Sequence, residues 1–244
     1  MDTTPVVFLH AFPLNAAMWR GQVEALAGRR TLAPDFPGFG GRAPGEATLD
    51  HFARAALADM DAAGIQRAVV VGLSMGGYVA FRLHDIAPER VAAMVLADTR
   101  AGADDEAGRA KRTAQAARVR EEGVSWMADA LLPALLGATT RQERPGVVAA
   151  ASALISAADP EGVARALEAM RDRPDSTAGL ERIRVPVLAL AGEEDTLTPV
   201  SEARVIAGSV PDGRLEVVAG AGHLSNLEAP EAFDRALREF LGGT

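Results

Sequence analysis

The chain has 244 residues, 48% hydrophobic and 24% charged, with a formal net charge of −8. That length suits one domain with a sizeable core, and the acidic balance argues against a nucleic-acid partner. The absence of cysteine excludes disulfides, thiolate nucleophiles and cysteine metal sites; Lys111, the one lysine among 25 basic residues, leaves little room for lysine chemistry.

Met1 to Thr4 show no basic stretch leading into an apolar run, and no segment approaches the ~18 apolar residues of a membrane span. A cytoplasmic protein with no membrane partner is the expectation. The first strand is read at Pro5 to His10 and a helix at Met18 to Leu26. Arg30 to Phe36 is a weaker strand. Thr48 is placed to cap a helix over Leu49 to Ala63. Val69 to Leu73 and Val91 to Ala97 are strands flanking a helix over Gly77 to Ile86. After a long interruption come a strand at Val185 to Ala191, a helix at Val200 to Ala207 and a strand at Leu215 to Ala219. A final helix runs from Ala232 to Leu241, with Pro230 in its first turn.

The strand runs are continuously apolar rather than alternating, as expected of strands buried on both faces. Strand–helix alternation of this kind predicts an α/β fold with a doubly wound, mostly parallel sheet. The alternation breaks between Thr99 and Arg182, where apolar residues recur at helical spacing. This stretch is read as an insertion of about four helices. The predicted division is a core of residues 1–99 and 183–244 and a helical cap of residues 100–182. Trp126, Met127, Leu131, Leu132, Leu135 and Leu136 form the most apolar part of the cap. Trp126, Met127 and Leu131 are expected to line a substrate pocket.

Gly72-Leu73-Ser74-Met75-Gly76 reads as strand, G-x-S-x-G turn, helix. Such a turn holds a serine in a strained conformation at the strand end, with its hydroxyl exposed. Side chains at Gly72 and Gly76 would collide with the neighbouring helix and strand. A nucleophilic serine needs a base and an orienting carboxylate. His223 follows the last strand and falls at the same sheet edge as Ser74. His51 and His84 lie on helices away from that edge, and His10 is given a loop-shaping role. Asp195, in the loop after Val185 to Ala191, is the first candidate for the acid, and Asp98 the second. The oxyanion donors are expected to be the backbone N–H groups of Met75 and Phe12, with the Phe12 ring walling the pocket.

Together these residues resemble the α/β-hydrolase superfamily. His10-Ala11-Phe12 stands where H-G-x is usual, Asp35-Phe36-Pro37-Gly38-Phe39-Gly40 is similar to a D-x-P-G-x-G loop, and the Ser74 elbow, acid loop and histidine loop follow in the family's order. The resemblance implies an α/β-hydrolase fold with a helical cap inserted after the sixth family strand. Within the superfamily, His10 to Trp19 and Ala97 to Ala103 are similar to bacterial esterases and 3-oxoadipate enol-lactonase-like hydrolases. Ala11 and Gly41 depart from the usual glycine and serine. The family's first hairpin has no room before Pro5, which would leave Arg30 to Phe36 as a bare sheet edge, protected or used in a homodimer. The expected activity is hydrolysis of a small, largely apolar ester or lactone through an acyl-serine, without metal or cofactor. A perhydrolase, a carbon–carbon bond hydrolase and a non-catalytic ligand receptor are alternatives on the same scaffold.

Overall fold

The structure is a computed structural model, and it describes residues 4–243. In chain order its elements are β1 (Val6–Leu9), α1 (Arg20–Ala25), β2 (Thr31–Leu32), α2 (Leu49–Ala62), β3 (Ala68–Leu73), α3 (Met75–Ile86) and β4 (Val91–Ala97). Then come α4 (Glu106–Glu122), α5 (Met127–Leu135), α6 (Ala138–Glu143), α7 (Pro145–Ser156) and α8 (Pro160–Arg171). The chain ends with β5 (Val187–Gly192), α9 (Val200–Ser209), β6 (Gly213–Val218), α10 (Ser225–Glu228) and α11 (Pro230–Gly242).

The six strands form one sheet in the order β2-β1-β3-β4-β5-β6, every neighbouring pair parallel. Every residue of β1, β3 and β5 is buried, because helices cover both faces of the central sheet. The edges differ from the sequence reading. β2 is only two residues long, and β6 exposes Glu216 and Val217 because no strand among the described residues pairs beyond it. A two-residue edge offers little template for pairing with another chain. The missing-hairpin and leader expectations concern Met1 to Thr4, of which residues 1–3 lie outside the described residues.

Local signals place the helices. The Thr48 hydroxyl accepts from His51 N–H at 3.1 Å and starts α2, and Asp105 and Asp159 cap α4 and α8 through the N–H groups of Gly108 and Gly162. Pro230 begins α11. The predicted Met18 to Leu26 helix is instead a 3-10 turn, Ala16–Trp19, continued by α1. Trp19 is fully buried against Phe8 and Phe233, which ties this turn to β1 and α11.

Between β4 and β5 lie five helices, α4 to α8, not four; the break at Gly137 separates α5 from a short α6 that the apolar spacing does not reveal. α4 packs along α8, and α5 and α6 pack on α7. No single helix among the described residues is long and apolar enough to cross a membrane.

Candidate active site

The chemistry starts at the turn from β3 into α3. Ser74 has φ 55° and ψ −114°, outside the usual regions for an L-residue. The turn is held by Ser74 N–H donating to the Ala97 carbonyl at 2.9 Å, and by the Thr99 hydroxyl donating to the Ser74 carbonyl at 2.9 Å. The flanking glycines have steric causes. A Cβ on Gly72 would lie 2.3 Å from the Gly76 carbonyl oxygen, and one on Gly76 would lie 2.0 Å from that of Leu9. The elbow therefore closes only with hydrogen at both positions.

Ser74 Oγ lies 2.7 Å from His223 Nε2, and His223 Nδ1 lies 2.7 Å from Asp195 Oδ2. All three side chains are buried or nearly so. Asp195 is surrounded by donors. Its Oδ1 accepts from the N–H groups of Leu197 and Thr198 at 2.8 and 3.0 Å, and its Oδ2 accepts from the Thr198 hydroxyl at 2.7 Å. Burial works against its charge, but His223 and these donors outweigh it and hold the carboxyl below its ordinary range. For His223, burial opposes protonation, yet Asp195 prevails and raises the imidazole above 6.5. With Asp195 ionised, the Nδ1–H tautomer follows, leaving Nε2 free to accept from Ser74.

Asp98 does not touch His223. It is fully buried at the end of β4, with φ 45°, and accepts from Gly192 N–H at 2.8 Å and from the N–H and hydroxyl of Ser225. One carboxylate thus joins the acid loop to the histidine loop. Burial first, and the nearby Asp195 charge second, push it up to about 8.

The inserted helices also hold His223. His223 N–H donates to the Leu135 carbonyl at 3.1 Å, and the buried Glu228 carboxylate accepts from Gly137 N–H at 2.8 Å and Leu224 N–H at 3.0 Å. His10 shapes the loop after β1. Its Nδ1–H donates to the Ala11 carbonyl at 3.1 Å, its Nε2 accepts from Phe36 N–H at 3.0 Å, and its ring packs between Phe36 and Phe39. The Phe12 and Met75 N–H groups make no hydrogen bond among the described residues; Met75, at the first position of α3, has no intrahelical acceptor. His51 and His84 sit on α2 and α3, outside the site.

A cavity of about 280 Å³ opens on Ser74 and His223. Phe12 and Leu131 line it, joined by Leu135, Met170 and Leu197. Trp126 and Met127 do not. Met127 is buried in the packing of the inserted helices, and Trp126 lies under Arg118 (3.9 Å) in an adjoining groove of about 420 Å³. The cavity is also less apolar than predicted: Tyr78, Arg100, Asp104, Lys111, Arg112, Gln115 and Thr198 line it too. Sequence reasoning missed this wall because its charged residues, on the loop after β4 and on α4, lie outside the apolar stretch from which the pocket was expected. Among the described residues no group of three or more His, Asp or Glu side chains could hold a metal ion.

A parallel sheet whose inner strand ends in a serine at positive φ, with a histidine from the loop after the last strand turned onto it, is the frame of an α/β hydrolase. The family model described as the alpha/beta hydrolase fold matches residues 4–230, and the chain belongs to that family. A thermophilic esterase from Thermogutta terrifontis, solved with malate bound, is 37% identical with a TM-score of 0.95, over 98% of this chain and 90% of that one. The enol-lactonase from Burkholderia xenovorans is 29% identical with a TM-score of 0.91, over 99% and 92%. Among curated proteins, 3-oxoadipate enol-lactonase 2 of Acinetobacter baylyi is 28% identical over 97% of this chain and 88% of its own length. The chain is an α/β-hydrolase enzyme.

Proposed function

We propose that the protein hydrolyses a small carboxylic ester or lactone through a covalent ester on Ser74. The observation that carries this is the unbroken relay Ser74 Oγ, His223 Nε2, His223 Nδ1, Asp195 Oδ2, with 2.7 Å at both contacts. The esterase and lactonase names of similar proteins support the same reading.

Ser74 Oγ attacks the carbonyl carbon while its proton passes to His223 Nε2. Asp195 steadies the imidazolium without taking its proton. The carbonyl oxygen becomes an oxyanion, and the free N–H groups of Met75 and Phe12 are the donors for it. When the tetrahedral species collapses, the C–O bond to the leaving group breaks and His223 returns the proton to the departing oxygen. Water then gives a proton to Nε2 and attacks the acyl-serine, releasing the acid and regenerating Ser74. The strained elbow keeps Oγ at the attack position before substrate arrives.

Fluorophosphonate labelling followed by peptide mapping tests the assignment. The expected result is a single adduct on Ser74, no adduct in Ser74→Ala, and loss of ester hydrolysis in that variant. Labelling elsewhere, or full hydrolysis by Ser74→Ala, would overturn it.

A further inference from the structure

β6 forms the longer open edge of the sheet. It runs six residues, Gly213–Val218, and no strand among the described residues pairs beyond it. It contains no proline or lysine to blunt the edge, and its register with β5 is continuous, without a bulge. Val187 N–H donates to the Asp212 carbonyl and Glu193 N–H to the Val218 carbonyl, each at 2.9 Å. Backbone groups alternate sides along a strand, so Arg214 and Glu216 also face β5. Gly213, Leu215 and Val217 then turn their N–H and C=O groups to the open edge.

Side chains alternate too. A Cβ on Gly213 would lie 2.1 Å from the Ala207 carbonyl oxygen, which puts Gly213, Leu215 and Val217 on the α9 side. Arg214 lies over the Phe240 ring at 6.0 Å, which puts Arg214 and Glu216 on the α11 side. Apolar exposure gathers at this edge. Of the three exposed large hydrophobic side chains among the described residues, Leu197 lines the Ser74 cavity. The other two are Val217, 40% exposed, and Val205, 47% exposed, on the α9 helix that packs on β6.

The charges of the edge complement themselves. Turned antiparallel about Leu215, a second β6 sets Leu215 opposite its own copy, Gly213 opposite Val217, and Arg214 opposite Glu216. The first two kinds of pair carry the outward N–H and C=O groups, so each exchanges both hydrogen bonds. Arg214 and Glu216 fall in the non-hydrogen-bonded pairs, where facing side chains come closest. Both are exposed, and neither has an ion-pair partner among the described residues. Slipping the centre to Arg214 or to Glu216 would set like charge on like charge. A two-fold axis through Leu215 stands perpendicular to the sheet, so Val205 and Val217 of both copies share one face.

We propose that the chain forms a two-fold homodimer by antiparallel pairing of β6 with β6 of a second copy, joining the two sheets into one. The homodimer expected at Arg30 to Phe36 thus moves to the opposite edge, since β2 offers only two residues. Neither Arg214 nor Glu216 lines the cavity over Ser74, so the interface is independent of the serine reading.

Sedimentation velocity over a concentration series, up to about 1 mM chain, reads the association. The expected result is a monomer–dimer equilibrium. Glu216→Arg sets positive against positive in both facing pairs, and Arg214→Glu sets negative against negative. Each alone should weaken the dimer about tenfold or more. Mixed in equal amounts, the two variants should recover it, because every facing pair is again of opposite sign. Both positions are exposed, so the variants should fold like the parent. Hydrogen exchange gives a second reading: the Leu215 and Val217 amides should be protected at high concentration in the parent and exchange freely in Glu216→Arg. A parent chain that stays monomeric at about 1 mM would overturn the proposal. So would a dimer that survives both single variants unchanged, a mixture that fails to recover it, or edge amides that exchange alike in monomer and dimer.

Discussion

Replacing Asp195 with asparagine asks the most of the geometry. The two backbone N–H groups on Oδ1, from Leu197 and Thr198, fix which way the amide must face. Its oxygen stays on them, so its NH2 takes the place of Oδ2, facing His223 Nδ1 and the Thr198 hydroxyl. The hydroxyl can turn and accept, but Nδ1 can accept only if its proton moves to Nε2. That tautomer points an N–H at Ser74 Oγ across 2.7 Å, where the mechanism needs a lone pair. The imidazolium also loses its counter-charge. The comparable amide substitution in a Ser-His-Asp triad lowers kcat about 10⁴-fold, or about 5.5 kcal/mol of transition-state stabilisation. Stability should fall by only about 1 kcal/mol, because the two backbone hydrogen bonds to the amide oxygen survive and the Thr198 hydroxyl can turn to accept. The assay is kcat on a methyl ester beside a denaturation curve, with the low-field Nδ1 proton followed by NMR. A folded Asp195→Asn protein within about tenfold of the parent kcat would refute the argument.

Other outcomes follow from the same contacts. Acylation needs neutral His223, and its imidazole is raised above 6.5, so kcat/KM should fall on the acid side through an apparent pKa above 6.5; a limb centred below 6 would contradict this. Burial pulls His10 down from 6.5 to about 4, so between these pH values the unfolded chain binds a proton that the folded chain does not. Stability is then complete above pH 6.5 and drops by about 3 kcal/mol as pH falls to about 4; urea titrations at several pH values measure it, and His10→Leu should flatten that slope. Gly76→Ala places a Cβ 2.0 Å from the Leu9 carbonyl oxygen and should destabilise by several kcal/mol, about 4 or more, or fail to fold; a normal melting temperature would show that the elbow can relax.

The elbow was legible because its causes are local. A buried strand, two glycines and a helix start lie within about ten residues, and backbone sterics tie them to one turn. His223 and Asp195 were legible because both follow strands, and strand ends in a parallel sheet share an edge. Asp98 was a weaker guess for the same reason: it also ends a strand, and only the 2.7 Å contact of Asp195 with Nδ1 separates the two. Its bridging of Gly192 and Ser225 joins residues 94 and 127 positions away, a separation no local pattern carries.

The inserted helices resisted reading. Apolar spacing shows which helix face is buried but not which neighbour buries it. Trp126 and Met127 were expected together in the pocket, yet adjacent residues at a helix start point about 100° apart, so one entered the packing and the other a groove. Arg100, Asp104, Arg112 and Arg173 look like ordinary surface charge along the chain. They meet at Asp104 only because α4 packs along α8, and Arg100, Asp104 and Arg112 then line the cavity.

The sequence by itself determined the strand–serine–helix turn at Ser74, the placing of Asp195 and His223 after later strands, and the parallel sheet that gathers them, because each follows from short-range sterics and strand periodicity. Only the tertiary structure decided which side chains line the cavity. Its wall is assembled from segments distant in sequence, and which of their residues face it is a property of their packing.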